Sequence, residues 1–341
     1  MLINESNWQV ATSLDWDTQQ SPIQVVVVKQ SFEYNEMGEL SALDSSRDIH
    51  CADQYSESEP PVLLSANELV PFKQGFEVYG AFTAYPPKGQ AVRVIETQLQ
   101  LFDAQQQTLL NKTLRITGKR VWRRSLLGPV ASEPEFLTPL AINYQHAFGG
   151  LGNGKASSCF AQNPAGVGYK YSNREAISKP LPQIEYAQSE YRKPSHQAEV
   201  ASYAPIPLHW APRVNNVPEI DQAQLMLGEY PYKSALVEYF YNYAPSDQRL
   251  SKAYQSGWKL KLSGFSPMQK YQFSQTLDLP YQPPQIDLIA GSEQTRLQMQ
   301  CDTLVIDTQE QVLDLLWRVS ISKEKIKANS HILIAEEDVL I

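Results

Sequence analysis

The 341 residues contain 29 Lys and Arg against 37 Asp and Glu, a formal net charge of −8, and 42% of them are hydrophobic. That apolar content supports a buried core and excludes a wholly disordered chain. The acidic balance argues against a nucleic-acid partner, because phosphate binding needs clustered Lys and Arg to release counterions; the short group Lys119, Arg120, Arg123 and Arg124 reads as a solvated strand end.

The first twenty residues show no basic start followed by an apolar core. No run reaches the roughly 18 apolar residues needed to span a bilayer. The expectation is a cytoplasmic protein without a membrane partner. Cys51, Cys159 and Cys301 are few, odd in number and far apart, which suits a reducing compartment and offers no disulfide framework. Asn111-Lys112-Thr113 matches a glycosylation acceptor, read as chance in such a chain.

Ile23–Phe32 is rich in β-branched residues, and Asn35, Glu36 and Gly38 form a turn before Glu39 and Leu40, which predicts a hairpin. Residues 41–61 are polar and acidic and read as a surface loop. Ser65 and Glu68 have capping-box spacing, predicting a short helix stopped by Pro71. Gly75–Tyr85, the turn Pro86-Pro87-Lys88-Gly89 and Val92–Phe102 predict a second hairpin, and Thr108–Trp122 returns as the next strand. The first third therefore reads as a β-meander.

Leu137–Tyr171 crowds glycine, proline, asparagine and aromatic residues into a segment too irregular for helix and too long for a turn. Its aromatic content predicts an ordered centre, either a seam between strand-rich parts or a surface that a partner reads. Residues 172–218 carry seven prolines, Pro180, Pro182, Pro194, Pro205, Pro207, Pro212 and Pro218, which disfavour central strands and helices alike. Tyr232–Tyr243 has helical spacing of Ala235, Leu236, Tyr239, Phe240 and Tyr243 between Pro231 and Pro245, predicting a helix. Gly257–Phe265 and Tyr271–Leu279 read as paired strands, in a layout that echoes Gly75–Leu101 and raises an internal duplication. Cys301–Ser322 reads as two strands joined at Asp307–Glu310, and His331–Ala335 as a terminal strand.

The expected fold is mainly β: sandwich-like or curved antiparallel sheets in two halves, joined by long ordered loops rich in Pro, Gly and aromatics, with a few short helices. Residues 1–341 read as one unit, with sub-parts 1–130 (N-terminal meander), 131–230 (irregular central loops) and 231–341 (short helix and C-terminal β-half).

Among motifs with possible chemistry, Gly149–Lys155 satisfies the start of a phosphate-cradling loop. A hydroxyl should follow the lysine and a helix should begin there, but Ala156 follows, and Asn163-Pro164 and Gly166 leave no room for a useful helix. Glycines serving a tight loop are the better reading. Cys159 with His146 and Asn163 can be written as nucleophile, base and orienter, although nearness in sequence says little about geometry. The five histidines show no metal-ligand spacing. No metal and no cofactor are expected.

More distinctive are short runs dense in aromatic, Pro, Arg and Asn residues: Phe148-Gly149-Gly150, Asn163–Tyr169, Ile206–Arg213 and Tyr243–Arg249. Joined with Val28-Lys29-Gln30-Ser31-Phe32, Gly80–Pro86, Gly118-Lys119-Arg120-Val121-Trp122, Pro139–Gly150, Leu181–Glu185 and Ala244–Gln248, they resemble a bacterial family long catalogued as a domain of unknown function and associated with type VI secretion. The pair Ala147-Phe148-Gly149-Gly150 and Asn163–Gly168 is the most specific part of the likeness. His146 stands where a long side chain such as arginine is common, and Tyr85 separates Ala84 from Pro86.

The resemblance implies a non-enzymatic adaptor, or chaperone, that binds a toxic protein effector and loads it onto the trimeric VgrG-type spike of the secretion apparatus, with or without a PAAR-type tip. No catalytic residues accompany it. Interface anchors are drawn from Tyr, Trp and Arg, so the expected partner-binding residues are Tyr144, His146, Phe148, Asn163, Tyr169, Trp210, Arg213, Asp247 and Arg249. Two alternatives stand beside it: a hydrolase with a site in the central loops using Cys159 or an Asp/Glu pair, and a structural component of the secretion machine.

Overall fold

A computed structural model describes residues 1–152, 158–211, 213–268 and 274–335. The main elements, in chain order, are β1 (Gln9–Trp16), β2 (Pro22–Tyr34), β3 (Phe76–Ala81), β4 (Val94–Phe102), β5 (Thr108–Thr117), β6 (Trp122–Ser125), β7 (Gly128–Ala131), α1 (Asn173–Ala176), β8 (Ile184–Tyr186), α2 (Gln222–Leu227), β9 (Lys259–Ser263), β10 (Ser274–Asp278), β11 (Gln285–Ala290), β12 (Gln300–Asp307), β13 (Val312–Ser322) and β14 (Ser330–Ala335).

Two large sheets pack face to face. The first runs Arg249–Leu250, β3, β12, β13, β2, β1, with Leu40–Ala42 completing the predicted hairpin on β2. The second is antiparallel throughout, in the order β8, β5, β4, β9, β10. Strand β4 alternates buried and less buried residues, as a sheet with one face on the core requires. Strand β2 does not alternate because both its faces are covered. Val26 and Val28 enter the main core with Phe76, Val78, Leu99, Leu101, Leu260 and Leu262, whereas Val25 and Val27 pack behind the sheet with Ile23 and Leu316. A third sheet sets Leu2–Asn4 parallel to β14, which pairs with β11. The mainly β, sandwich-like reading therefore holds, and the first sheet is mixed, since β3 and β12 run parallel.

Long-range pairing decides where the local reading fails. Segments 75–85 and 92–102 do not form a hairpin: β3 pairs with β12 in one sheet, and β4 with β5 and β9 in the other. Their layout thus differs from that of β9 and β10, which do pair with each other. No helix follows Ser65. Leu63–Ser65 is a short strand on Gln54–Tyr55, and Glu68 is drawn inside to Lys29. The helix expected over Tyr232–Tyr243 is replaced by turns, because the Tyr243 and Ala244 amides donate to the buried Glu77 carboxylate on β3. Strands β2 and β13 come from opposite ends of the chain and pair over eleven residues, so the first and last thirds share one sheet.

Candidate functional site

The central segment is built around Asn163, which is fully buried. Its Nδ2 donates to the Tyr144 carbonyl at 2.8 Å and the Phe148 carbonyl at 3.0 Å, while its own carbonyl receives the Gly150 amide at 2.8 Å. Phe148–Gly149 and Val167–Gly168 pair as a short parallel ladder across this asparagine. The closeness of the backbone dictates glycine. Gly150 has φ +94, and a Cβ there would lie 2.2 Å from the Gly166 carbonyl oxygen; a Cβ on Gly166 would lie 2.4 Å from Asn163 Nδ2. Gly154, Lys155 and Ala156, the rest of the phosphate-loop pattern, lie outside the described residues.

Other distant motifs lock together in the same way. Arg120 is buried, against the expectation of a solvated group, because its guanidinium meets Glu185 at 2.8 Å and the Pro182 carbonyl at 2.8 Å. Lys29 is buried against Glu68 at 2.8 Å, Ser31 Oγ donates to Asp314 at 2.6 Å, and Gln30 accepts from the Trp317 indole at 2.8 Å. Burial raises the Asp314 carboxyl above its ordinary range, opposed by attraction to Lys29 and Arg47. Lys112 on β5 reaches Asp247 at 2.9 Å, Gln248 at 2.7 Å and the Ser202 carbonyl at 2.7 Å. The Gln248 amide then donates to the Val78 carbonyl on β3, so Gln248 ties the two sheets together.

The nine expected contact residues separate accordingly. Tyr144, Phe148, Asn163, Trp210 and Arg213 are buried. Tyr144 donates to the Ala204 carbonyl and meets Trp210 edge-on, and Phe148 packs among Phe160, Tyr169 and Tyr191. These five cannot present a broad docking face; their apolar area is spent on the interior. His146, Tyr169 and Arg249 are half-buried, and only Asp247 is exposed. Between His146 and Cys159 no hydrogen bond forms. Burial raises the Cys159 thiol, the direction opposite to an activated thiolate. Among the described residues no group of His, Cys, Asp and Glu is placed to hold a metal, and no helix is long and apolar enough to cross a membrane.

Two clefts remain. One of about 440 Å³ is lined by Phe148, Tyr169, Tyr171, Glu175 and His196. The other, of about 350 Å³, is lined by Arg213, Asn216, Tyr239, Phe240, Ser246 and Arg249. Residues 19–318 match the family described as an uncharacterized protein conserved in bacteria (DUF2169). The chain belongs to that family. No curated protein and no solved structure matches it.

With the family's motif-bearing residues largely inside, the exposed apolar side chains mark surface of another kind. Leu126 and Leu127 form the tip of the β6–β7 hairpin and are fully exposed, with Arg123 and Arg124 exposed beside them on β6 and in no ion pair among the described residues. Helix α2 is capped by Asp221 at its start and by left-handed Gly228 at its end, and buries none of its residues; Met226 is 87% exposed and Leu227 73%. Sequence reading missed both. The signals were there: Ser125 and Gly128 bracket the two leucines as turn residues, and Asp221 and Gly228 stand at helix start and stop positions.

Proposed function

We propose that this chain is a non-enzymatic protein-binding adaptor that holds a toxic effector and loads it onto the type VI secretion spike. The observation that carries the protein-binding part is the β6–β7 hairpin. Two leucines projected into water beside two arginines that pair with no carboxylate among the described residues, on an otherwise acidic molecule, suit an apolar pocket with an acidic rim on a partner protein. Solvent exposure of such side chains costs free energy in the unbound chain, and docking recovers it at about 25 cal/mol per Å² buried. The rigid, motif-built interior supports the reading by holding this hairpin on a fixed frame. The effector and spike assignment rests on the sequence resemblance.

Deleting the gene in its native bacterium should abolish delivery of one effector while secretion of the apparatus's own components continues. Unchanged delivery of every effector overturns the proposal. Hydrolytic activity that depends on Cys159 would replace it with the hydrolase reading, and stable incorporation into purified secretion particles would favour a structural component.

A further inference from the structure

The cleft between Arg213 and Arg249 differs from the rest of the interior in how its charges are met. Arg213 is 6% exposed, and its guanidinium carbon lies over the Tyr243 ring, 3.9 Å from the centroid. It donates to two neutral carbonyls, Ile206 at 2.7 Å and Phe240 at 3.2 Å, while its Nε has no partner among the described residues. Arg249 donates through Nε to the Ala244 carbonyl at 2.7 Å and lies beside the Tyr239 ring. Among the described residues no carboxylate comes within ion-pair distance of either guanidinium, whereas the buried Lys29, Lys73, Lys112, Arg120 and Arg318 each have one. The nearby acids are engaged elsewhere: Glu77 with Lys73, Asp247 with Lys112 and Tyr186, and Asp53 with Tyr243.

We propose that this cleft is a binding site for a carboxylate presented by a polypeptide, as a chain terminus or an acidic side chain next to an apolar residue. The carboxylate would neutralise two like charges that no described carboxylate meets at ion-pair distance, through the charge-assisted bonds that guanidinium makes best. Burial pushes the Arg249 guanidinium down from its ordinary range, opposed by attraction to Glu77 and reinforced by the nearness of Arg213; a bound anion relieves that cost. The rings of Tyr239, 45% exposed, and Phe240 line the same cleft and give the neighbouring apolar side chain a surface. A free inorganic anion would leave that aromatic wall unused. This proposal rests on the protein-binding reading of the chain.

The test is calorimetric titration of the full chain with four probes: acetyl-Leu-Phe with a free carboxylate, its carboxamide, acetyl-Leu-Phe-Asp carboxamide, and inorganic phosphate. We expect saturable binding of the two carboxylate peptides, at least tenfold weaker binding of the carboxamide, and at least tenfold loss in Arg249→Gln at an unchanged denaturation midpoint. Arg213→Lys, which keeps the charge but loses the planar fork, should weaken binding in the same direction. The tighter of the two carboxylate peptides identifies the source. Equal binding of acid and carboxamide, undiminished binding by Arg249→Gln, or phosphate binding as tightly as the peptides overturns the proposal. Capture of the cognate partner equally well by Arg249→Gln removes the cleft and leaves the adaptor reading standing. Peptide binding as expected, with effector delivery intact after gene deletion, does the reverse.

Discussion

Replacing Asn163 tests whether the central segment is architecture. In Asn163→Ala both Nδ2 donations vanish. The Tyr144 carbonyl keeps the Ala147 amide at 3.3 Å, so it is weakened, whereas the Phe148 carbonyl loses the side-chain donor given above. One buried acceptor left unpaired costs about 1–3 kcal/mol and one weakened bond about 0.5–1.5, for a total of about 1.5–4.5 kcal/mol. Against the ~5–15 kcal/mol typical of domain stability this is a large fraction, and it corresponds to a downward shift of about 1 M in the urea midpoint. Asn163→Asp discriminates further. It preserves volume but offers no donor when ionised, and it places a carboxylate where the native Oδ1 already lacks a hydrogen-bond partner among the described residues. It should be worse than Asn163→Ala at pH 8. Burial raises the folded pKa of such a group, so the folded state holds the proton more tightly than the unfolded chain, and stability is lost as pH rises from about 4. The Asp variant should therefore recover part of its deficit at pH 5, where protonation restores one donor. An alanine cost below about 0.5 kcal/mol, or an Asp variant no worse than Ala, would refute the reasoning.

Three further outcomes are expected. Phe148→Ala removes a fully buried ring from a four-ring aromatic cluster and should lower stability by about 3–5 kcal/mol, read by thermal or urea denaturation; a well-folded variant would return this residue to the surface. Burial pushes the Lys112 ammonium down to about 8, against attraction to Asp247, so above that pH the unfolded chain binds the proton that the folded chain releases. Wild-type stability should then climb by about 2 kcal/mol between pH 8 and 9.5, with the slope reduced in Lys112→Met. Above pH 10 it should fall, because burial raises Tyr203 and Tyr254 and only the unfolded chain ionises them there; a flat profile from pH 8 to 9.5 contradicts the Lys112 account. The double variant Leu126→Ser, Leu127→Ser should leave stability within about 0.5 kcal/mol yet weaken capture of the partner by at least tenfold, measured by pull-down with the purified effector.

Legibility in the sequence followed the range of the interactions. Hairpins closed by their own turns, such as β12 with β13, were readable because alternation and turn residues lie within one window. The valine run of β2 announced a strand but not its place, since its position inside the sheet depends on pairing with β13, nearly three hundred residues away. The missed features have a common cause. Glu68 looked like a helix-capping residue and Tyr243 like a helical one, but both are held by partners distant in the chain: the Glu68 carboxylate by Lys29, and the Tyr243 amide by Glu77. Local propensity is worth tenths of a kcal/mol per residue and yields to such buried contacts. Burial of the aromatic motifs was equally hidden, because a tyrosine or tryptophan beside glycine and proline looks the same whether it faces a partner protein or its own chain.

On the adaptor proposal, the separation of interior and surface would let one frame serve different partners. The residues that carry the family resemblance, among them Lys29, Arg120, Asn163, Glu185, Trp210 and Gln248, are buried and bonded or packed to each other's neighbourhoods. Changing any of them perturbs the frame before it perturbs a contact. The β6–β7 tip and the flank of α2 answer to neither constraint: Leu126, Leu127 and Met226 touch no core, so their replacement costs the fold little. Partner choice can therefore vary at those protrusions while the frame stays constant. The Arg213–Arg249 cleft lies between the two regimes, with one arginine anchored in the interior by carbonyls and an aromatic ring and the other half-exposed. A carboxylate captured there would be read by the frame itself, which makes the cleft the place for a feature shared among partners and the hairpin the place for what distinguishes them.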